Sequence, residues 1–385
     1  MKRLGLLICM IAILAVDSRA VSQASDMVPQ DSTTLPRLSE TERVLEKTLK
    51  KAMKKAMTKI DTIVSKGVNR QYIEIPKRPW QVIVRSNLNQ ASIDMSKSHL
   101  FSTERGLSDM FSFSPSFRTK VMTSIGVWAG YRGYGIGFSM TPGKKGSYVV
   151  LSALGARYGV QIRYRSFDQK VADISTSSFQ DSYSKEVELN HPIHVKSFFA
   201  EAFYLFSSKR FSYAAAYDMS TIQLRSAGTF LVGATWFQSD INLTDTDVFY
   251  IMLMNGIGRV KMWQGSLGGG YSYNWVPKKG WLVNVTVMPT LSFLNRIKFF
   301  RYDYEFVDIN ETPMNISNIT DSPAIEESHG SSVRLNVDAR VSVTYNWERY
   351  FINVMGQYNH FRYRYADQNG GVKDWYINAS LGVRF

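Results

Sequence analysis

The last residues of the chain alternate between apolar and polar side chains. In 374–385, DWYINASLGVRF, apolar residues from Trp375 to Phe385 occupy every second position, and the residues between them are mostly polar or small. A β-strand directs successive side chains to opposite faces. The segment is therefore predicted to be a strand with one apolar and one polar face.

The same alternation recurs along most of the chain. Segment 333–347 keeps it without a break, with apolar residues on one face and Arg334, Asp338 and Arg340 on the other. We predict about twelve strands: 80–95, 119–130, 134–141, 147–153, 158–166, 193–206, 227–239, 262–276, 281–295, 332–347, 350–365 and 374–385. An even number of antiparallel strands is what a single-chain bacterial barrel requires.

Aromatic residues cluster at the ends of these strands. Trp275, Trp281 and Trp347 flank short turns, whereas Trp263 and Trp375 lie about a dozen residues away, at the opposite ends of strands. Two aromatic rings at this separation match the two interfaces of a bilayer. The predicted interface aromatics are Trp80, Trp263, Trp275, Trp281, Trp347, Trp375 and Phe385.

These patterns predict an all-β membrane protein, an antiparallel transmembrane β-barrel of about 12 strands over residues 73–385, in the outer membrane of a Gram-negative cell. The alternative is a soluble β-sandwich with an aromatic edge strand. Both termini would be periplasmic and the longer connections outside the cell. The exception is 207–226, predicted to be a long periplasmic or lumen-entering segment. The barrel would contact outer-membrane lipid, and its C-terminal strand would be recognised by the barrel-assembly machinery.

The region before the barrel has two parts. Residues 1–24 are predicted to be a secretory signal peptide, with a basic start and an apolar run. Residues 25–72 are predicted to be a periplasmic linker with a basic amphipathic helix at 39–66. The formal net charge of +14 fits an anionic partner, and we expect that partner in the periplasm, not nucleic acid. The helix would lie on an anionic leaflet, bind a partner or pack on its own barrel.

Three stretches resemble a known family. They are IPKRPWQVIVRSN, the glycine-rich hairpin GYRGYGIGFSM at 130–140, and RFSYAAAYDMSTIQLRSAGTFLVG at 210–233. They are similar to the domain-of-unknown-function family 4421, presumed outer-membrane proteins of Bacteroidota, and the resemblance spans residues 70 to 385. It implies an outer-membrane barrel and no assigned activity, so no catalytic residue is carried over. The hairpin glycines relieve crowding between strands.

Candidate chemistry is sparse. His329 and Ser331 would share a strand face, where a histidine activates a serine, as in an outer-membrane phospholipase; Asn336 or Asn359 would orient the histidine. This lipid hydrolase is the alternative to a non-enzymatic narrow or plugged pore or a structural surface protein. The five histidines have no metal-ligand spacing, so neither a metal nor a cofactor is predicted.

Charged residues fall into two further groups. Arg85, Arg334, Asp338 and Arg340 are predicted to line the lumen. They would either form a path for anionic solutes or pair across the interior and fill it. His360, Arg362 and Arg364 lie beyond the predicted membrane span and are candidates to contact the phosphates of lipopolysaccharide.

Overall fold

The computed structural model describes residues 40–102, 108–113, 116–143, 146–177, 182–242, 257–301, 325–330, 333–365 and 368–385. The helices are α1 (Glu40–Ser65) and α2 (Tyr213–Tyr217), and the strands are β1 (Ile73–Glu74), β2 (Trp80–Ser102), β3 (Ser108–Phe113), β4 (Ser116–Thr119), β5 (Met122–Tyr131), β6 (Tyr134–Met140), β7 (Gly146–Leu154), β8 (Tyr158–Ser177), β9 (Ser182–Leu205), β10 (Ile222–Gln223), β11 (Ala227–Asn242), β12 (Ile257–Trp275), β13 (Trp281–Arg301), β14 (Ile325–Gly330), β15 (Arg334–Trp347), β16 (Tyr350–Tyr365) and β17 (Gln368–Arg384).

The chain divides into two units, the first ending at Lys66 and the second running from Gly67 to Phe385. Helix α1 belongs to the first unit, within the predicted range 39–66. Its lysines from Lys47 to Lys59 are exposed, as the basic face of an amphipathic helix should be. Among the described residues, no helix has the length and apolar character needed to cross a membrane. The predicted signal peptide lies outside the described residues.

In the described residues, twelve strands of the second unit form a closed antiparallel barrel: β2, β5, β6, β7, β8, β9, β11, β12, β13, β15, β16 and β17. Each pairs with the next along the chain, and the ring closes where β17 pairs with β2, with Val383 opposite Val82. Every backbone ladder is thereby satisfied within the ring, which is what a sheet in hydrocarbon requires. The predicted barrel of about twelve antiparallel strands is confirmed.

We call the end of the barrel where the chain enters at Trp80 and leaves at Phe385 the near end, and the opposite end the far end. At the far end the strands are longer than predicted: β8 runs to Ser177 and β9 begins at Ser182, where 167–192 was predicted to be a loop. Backbone pairing continues there without the apolar alternation that marks the membrane-facing part. The sequence pattern alone therefore underestimates these strands.

The outward face of the barrel wall is apolar from the near end to the middle. Val84, Val127 and Leu381 point outward and are more than half exposed, at 52%, 53% and 55%. The alternate positions on the same strands point inward, as Asn87, Ser124 and Asn378 do. This apolar-out, polar-in arrangement is that of a barrel surrounded by lipid.

The arrangement reverses at the far end. Outward positions there carry Lys196, Asp240 and Lys261, while the interior is filled by an apolar cluster in which Phe237 and Phe361 stack with ring centroids 4.1 Å apart. The arrangement of the membrane-facing part, with apolar side chains outward and polar side chains inward, therefore does not extend to this end. Above the lipid layer the outer face meets water, so the strands follow the apolar-in rule of soluble barrels.

Candidate functional site: a filled lumen

The connection between β9 and β11 fills the near end of the lumen. We call residues 206–226 the plug; it contains the short helix α2, whose residues Tyr213 to Ala216 are buried. Ser212 caps this helix, and its hydroxyl accepts a hydrogen bond from the Ala215 backbone N–H at 3.2 Å. Three consecutive alanines give the helix a narrow profile that fits inside the barrel. The plug resolves the prediction for 207–226 in favour of a lumen-entering segment.

Polar side chains of the barrel wall hold the backbone of the plug. The amide of Asn274 on β12 donates to the Ser212 carbonyl at 2.9 Å, and the amide of Asn353 on β16 donates to the Ala216 carbonyl at 3.1 Å. Inward-facing asparagines thus satisfy backbone groups that would otherwise be buried without partners.

Met219, which follows helix α2 in the plug, presents its backbone to two further strands. It adopts a φ of 59°, in the left-handed region that a non-glycine residue uses rarely. Its carbonyl oxygen accepts hydrogen bonds from Arg384 Nη2 on β17 at 2.6 Å and from Gln81 Nε2 on β2 at 2.9 Å. The strained backbone is therefore fixed by the two strands that close the barrel.

The adjacent residue Asp218 is a buried acid in the plug. One carboxylate oxygen accepts a hydrogen bond from the Ser220 backbone N–H at 2.8 Å, and the other has no hydrogen-bond partner in the described residues. Burial raises the pKa of the Asp218 carboxyl to about 6. Its proton state therefore changes within a physiological range of pH.

Strands β1 and β10 tie the plug to the segment that enters the barrel. Ile73 and Glu74 pair with Gln223 and Ile222, and the Leu224 backbone N–H donates to the Tyr72 carbonyl at 2.7 Å. The plug is thus anchored on both its lumen and near-end sides.

Above the plug, a buried charge network crosses the lumen. Arg340 on β15 binds Asp338 on its own strand, at 2.8 Å from Nε to Oδ1, and Glu201 on β9, at 2.8 Å from Nη1 to Oε1. Its Nη1 also donates to the Tyr213 hydroxyl of the plug at 2.8 Å. Gln357 donates a further hydrogen bond to Asp338 at 2.9 Å. One guanidinium thus joins two walls of the barrel and the plug.

Trp128 lies inside the barrel, fully buried, in a cradle of glycines from the hairpin at 130–140. A Cβ at Gly130 or Gly135 would overlap its indole ring, and one at Gly137 would lie 2.9 Å from it. Ile83, Met219 and Phe351 complete the cluster. These glycines make room for the indole ring of Trp128. That ring is the source of the crowding that the hairpin glycines were predicted to relieve.

The four predicted lumen residues occupy inward positions, but they do not form one group. Asp338 and Arg340 meet in the network above, and Arg85 lies over the Trp128 ring at 5.3 Å. Arg334 lies further toward the far end and is half-buried.

Sequence reasoning missed the opposite side of the lumen, where Glu201, Arg163 and Arg165 are inward-facing on β8 and β9. A signal was present, because Glu201 is the single acid within the aromatic run 198–206.

The predicted interface aromatics occupy outward positions. Trp80, Trp275, Trp281, Trp347 and Phe385 lie at the near end, and Trp263 and Trp375 lie further along their strands. Phe385 and Trp80 exchange backbone hydrogen bonds at 3.0 and 3.2 Å. The last residue is thus part of the barrel closure.

The remaining candidates lie at the far end. His360 is half-buried and Arg362 exposed, both on the outward face of β16; the side chain of Arg364 lies outside the described residues. Of the proposed serine–histidine pair, His329 belongs to β14, opposite Ile297, whereas Ser331 lies outside the described residues. The amide of Asn336 donates to Gln264 at 2.8 Å inside the lumen, and Asn359 is buried. In the described residues, no group of three or more His, Cys, Asp and Glu side chains is placed to hold a metal ion.

Fold and side-chain pattern together define the class: this is a transmembrane β-barrel with a filled lumen. A family model described as "Domain of unknown function (DUF4421)" matches residues 72–385, and the chain belongs to that family. No curated protein matches the sequence.

Solved outer-membrane barrels resemble the chain remotely. The outer-membrane protease OmpT from Escherichia coli has 8% identity and a TM-score of 0.41, with 80% of this chain and 97% of that chain covered. The translocator domain of the autotransporter NalP from Neisseria meningitidis has 6% identity and a TM-score of 0.32, with 89% and 98% covered. OprG from Pseudomonas aeruginosa has 10% identity and a TM-score of 0.26, with 81% and 99% covered.

Proposed function

We propose that the protein is an outer-membrane barrel with a sealed lumen, which serves as a structural and surface-presenting element and not as a diffusion pore. The single observation that carries this is the attachment of the plug to seven strands of the wall. Hydrogen bonds join it to β2, β11, β12, β13, β15, β16 and β17. A segment held from so many directions closes the near end, and the apolar cluster fills the far end.

The lengths of the connections between strands support one orientation. At the near end, hairpins such as 131–134 and 347–350 are short, whereas the far-end connections include 243–256 and 302–324. Outer-membrane barrels have short periplasmic turns and longer external loops. We therefore assign the near end, with both termini of the barrel, to the periplasm, and the far-end connections to the cell surface.

An epitope scan tests this orientation. One tag is inserted within 243–256 and a matched tag at the near-end turn 276–280. Antibody should label intact cells that carry the first tag and only permeabilised cells that carry the second. Labelling of the second tag on intact cells would reverse the assignment.

Basic side chains at the far end support contact with lipopolysaccharide. Lys196, Lys261 and Arg296 face outward in the same zone as His360 and Arg362, just beyond the apolar face of the wall. Phosphate groups at that level of the outer leaflet would pair with them. Replacing Lys196, Lys261 and Arg296 by glutamine should lower the amount of lipopolysaccharide that co-purifies; an unchanged amount would exclude these three.

A sealed lumen has a direct consequence for permeability. Liposomes that contain the protein should not swell in small neutral sugars. A variant in which a short Gly-Ser turn replaces 208–226 is the matched control, because β9 and β11 are already paired from Leu205 and Leu231 onward. Swelling with the native chain would refute the proposal. The serine–histidine hypothesis stays a prediction, tested by lipolysis assays of the His329→Ala and Ser331→Ala variants.

A further inference from the structure

A cavity lined by polar and aromatic side chains lies in the middle of the lumen, separate from the plug contacts. Its volume, counted as the space open to the centre of a water-sized sphere, is about 30 Å³. Its polar lining includes Asn89, Tyr148, Arg163, Arg165, Asp374 and Tyr376. Side chains from six strands, β2, β7, β8, β9, β11 and β17, line it.

Arg163 is the unusual member of this lining. It is 5% exposed, and its guanidinium lies 4.3 Å from the ring centroid of Phe199 and 4.9 Å from that of Tyr376. Its Nε has no hydrogen-bond partner, and within the described part of the chain Arg163 makes no hydrogen bond or ion pair. Burial of a cation without an anionic partner is unfavourable, so a charge of this kind requires a counter-ion.

The neighbouring carboxylates bind other arginines. Asp374 binds Arg165 at 2.7 Å, while Glu201 and Asp338 bind Arg340. In the described residues, Arg163 is therefore left without a carboxylate partner of its own.

Neutral donors complete the site. The hydroxyls of Tyr148 and Tyr376 and the amide of Asn89 make no hydrogen bond to other described residues, although all three line the cavity. Water would satisfy these groups but would not balance the charge of Arg163. A planar guanidinium with nearby hydroxyl and amide donors is suited to an oxyanion.

We propose that the cavity binds one small oxyanion, a carboxylate or a phosphate, through Arg163, with Tyr148, Tyr376 and Asn89 as additional donors. The anion neutralises Arg163 and becomes an integral part of the folded barrel. This site goes beyond the sealing role proposed above and does not depend on it, because Arg163 is buried whether or not the plug blocks conduction.

The test is unfolding of the purified barrel in detergent at constant ionic strength, with inorganic phosphate and acetate as separate probes against chloride. One or both should raise the unfolding midpoint; an anion at 100 times its dissociation constant multiplies the folding equilibrium constant about 100-fold. Arg163→Met should abolish the response. Arg85→Met is the matched control, because Arg85 is also unpaired but does not line the cavity, and it should retain the response.

The sign of the Arg163→Met effect is decisive. With a bound anion, the variant is less stable than the native chain; without one, removal of an unpaired buried charge makes it more stable in every buffer. The second result, or a native chain that does not respond to either probe, would overturn the proposal. If the variant does not fold, crystals of the native protein soaked in selenate provide the answer: an anomalous peak beside Arg163 supports the site, and its absence rejects it.

Discussion

Arg340 is the residue whose removal should damage the interior most. Its side chain is 5% exposed and binds Glu201, Asp338 and the hydroxyl of Tyr213. In Arg340→Met an apolar side chain replaces the methylene stem of arginine and removes its guanidinium. Two buried carboxylates thereby lose their cation, which we expect to be the main effect.

The magnitude follows from the state of those carboxylates. The side chains of Glu201 and Asp338 are 4% and 6% exposed, and only Asp338 keeps a donor, the amide of Gln357. Breaking a buried ion pair by removal of one partner costs about 3–5 kcal/mol. We therefore expect the folding equilibrium constant to fall by a factor of about 100 or more, since about 1.4 kcal/mol corresponds to a factor of ten.

The assay is urea unfolding in lipid vesicles, followed by tryptophan fluorescence and by the shift in gel mobility of the folded barrel. The triple variant Glu201→Gln, Asp338→Asn, Arg340→Met is the control, because it removes all three charges and should be more stable than Arg340→Met alone. Equal stability of Arg340→Met and the native chain would refute the reasoning. So would a triple variant less stable than the single one.

Three further predictions concern the cradle, the plug and the closure. Gly130→Ala should destabilise the barrel by about 1–3 kcal/mol, because the new Cβ overlaps the indole ring of Trp128. Trp128→Phe in the same chain should restore part of the loss, and an unchanged urea midpoint would exclude the clash. Burial raises the pKa of Asp218 to about 6, so the folded state binds this proton more tightly than the unfolded chain does. The contribution of this carboxyl to the free energy of unfolding should therefore fall as the pH rises from about 4 to 6. Asp218→Asn should therefore be more stable than the native chain at pH 8 and similar to it at pH 4, measured by thermal unfolding; a constant difference would contradict the assignment. Deletion of Phe385 removes the hydrogen bonds to Trp80 and should reduce the folded barrel recovered from outer membranes, whereas Phe385→Tyr should not; equal recovery of the deletion would count against a role in assembly.

The sequence predicts the lipid-facing half of this fold well. The segment 332–347 was predicted as a strand, and the structure has β15 from Arg334 to Trp347. Lipid requires an apolar side chain at every second position, so the alternation within each strand is enough to predict that the strand spans the membrane. The same alternation identifies the inward positions of Arg85 and Asp338.

The interior is harder to predict because its contacts join residues distant in sequence. Arg340 meets Glu201 from four strands away, and Asn353 binds the plug at Ala216. Strand alternation predicts which side chains point inward, but not which other side chain each of them contacts in the lumen. The plug has no strand alternation, and its small helix has too few residues for a helical period to be visible.

The far end shows a second limit. Beyond the lipid-facing part of the wall, apolar side chains such as Phe237 and Phe361 point to the interior. The sequence still alternates between apolar and polar residues there, but the apolar residues now face inward. Only the charged outward positions, such as Lys196 and Lys261, mark where this happens.

Single-channel recording in planar bilayers tests the central claim, that the plug seals the barrel. The native protein should insert without discrete conductance steps, and the variant in which a Gly-Ser turn replaces 208–226 should produce them. Stable open-channel steps from the native protein, of the same size as those from the variant, would contradict the account.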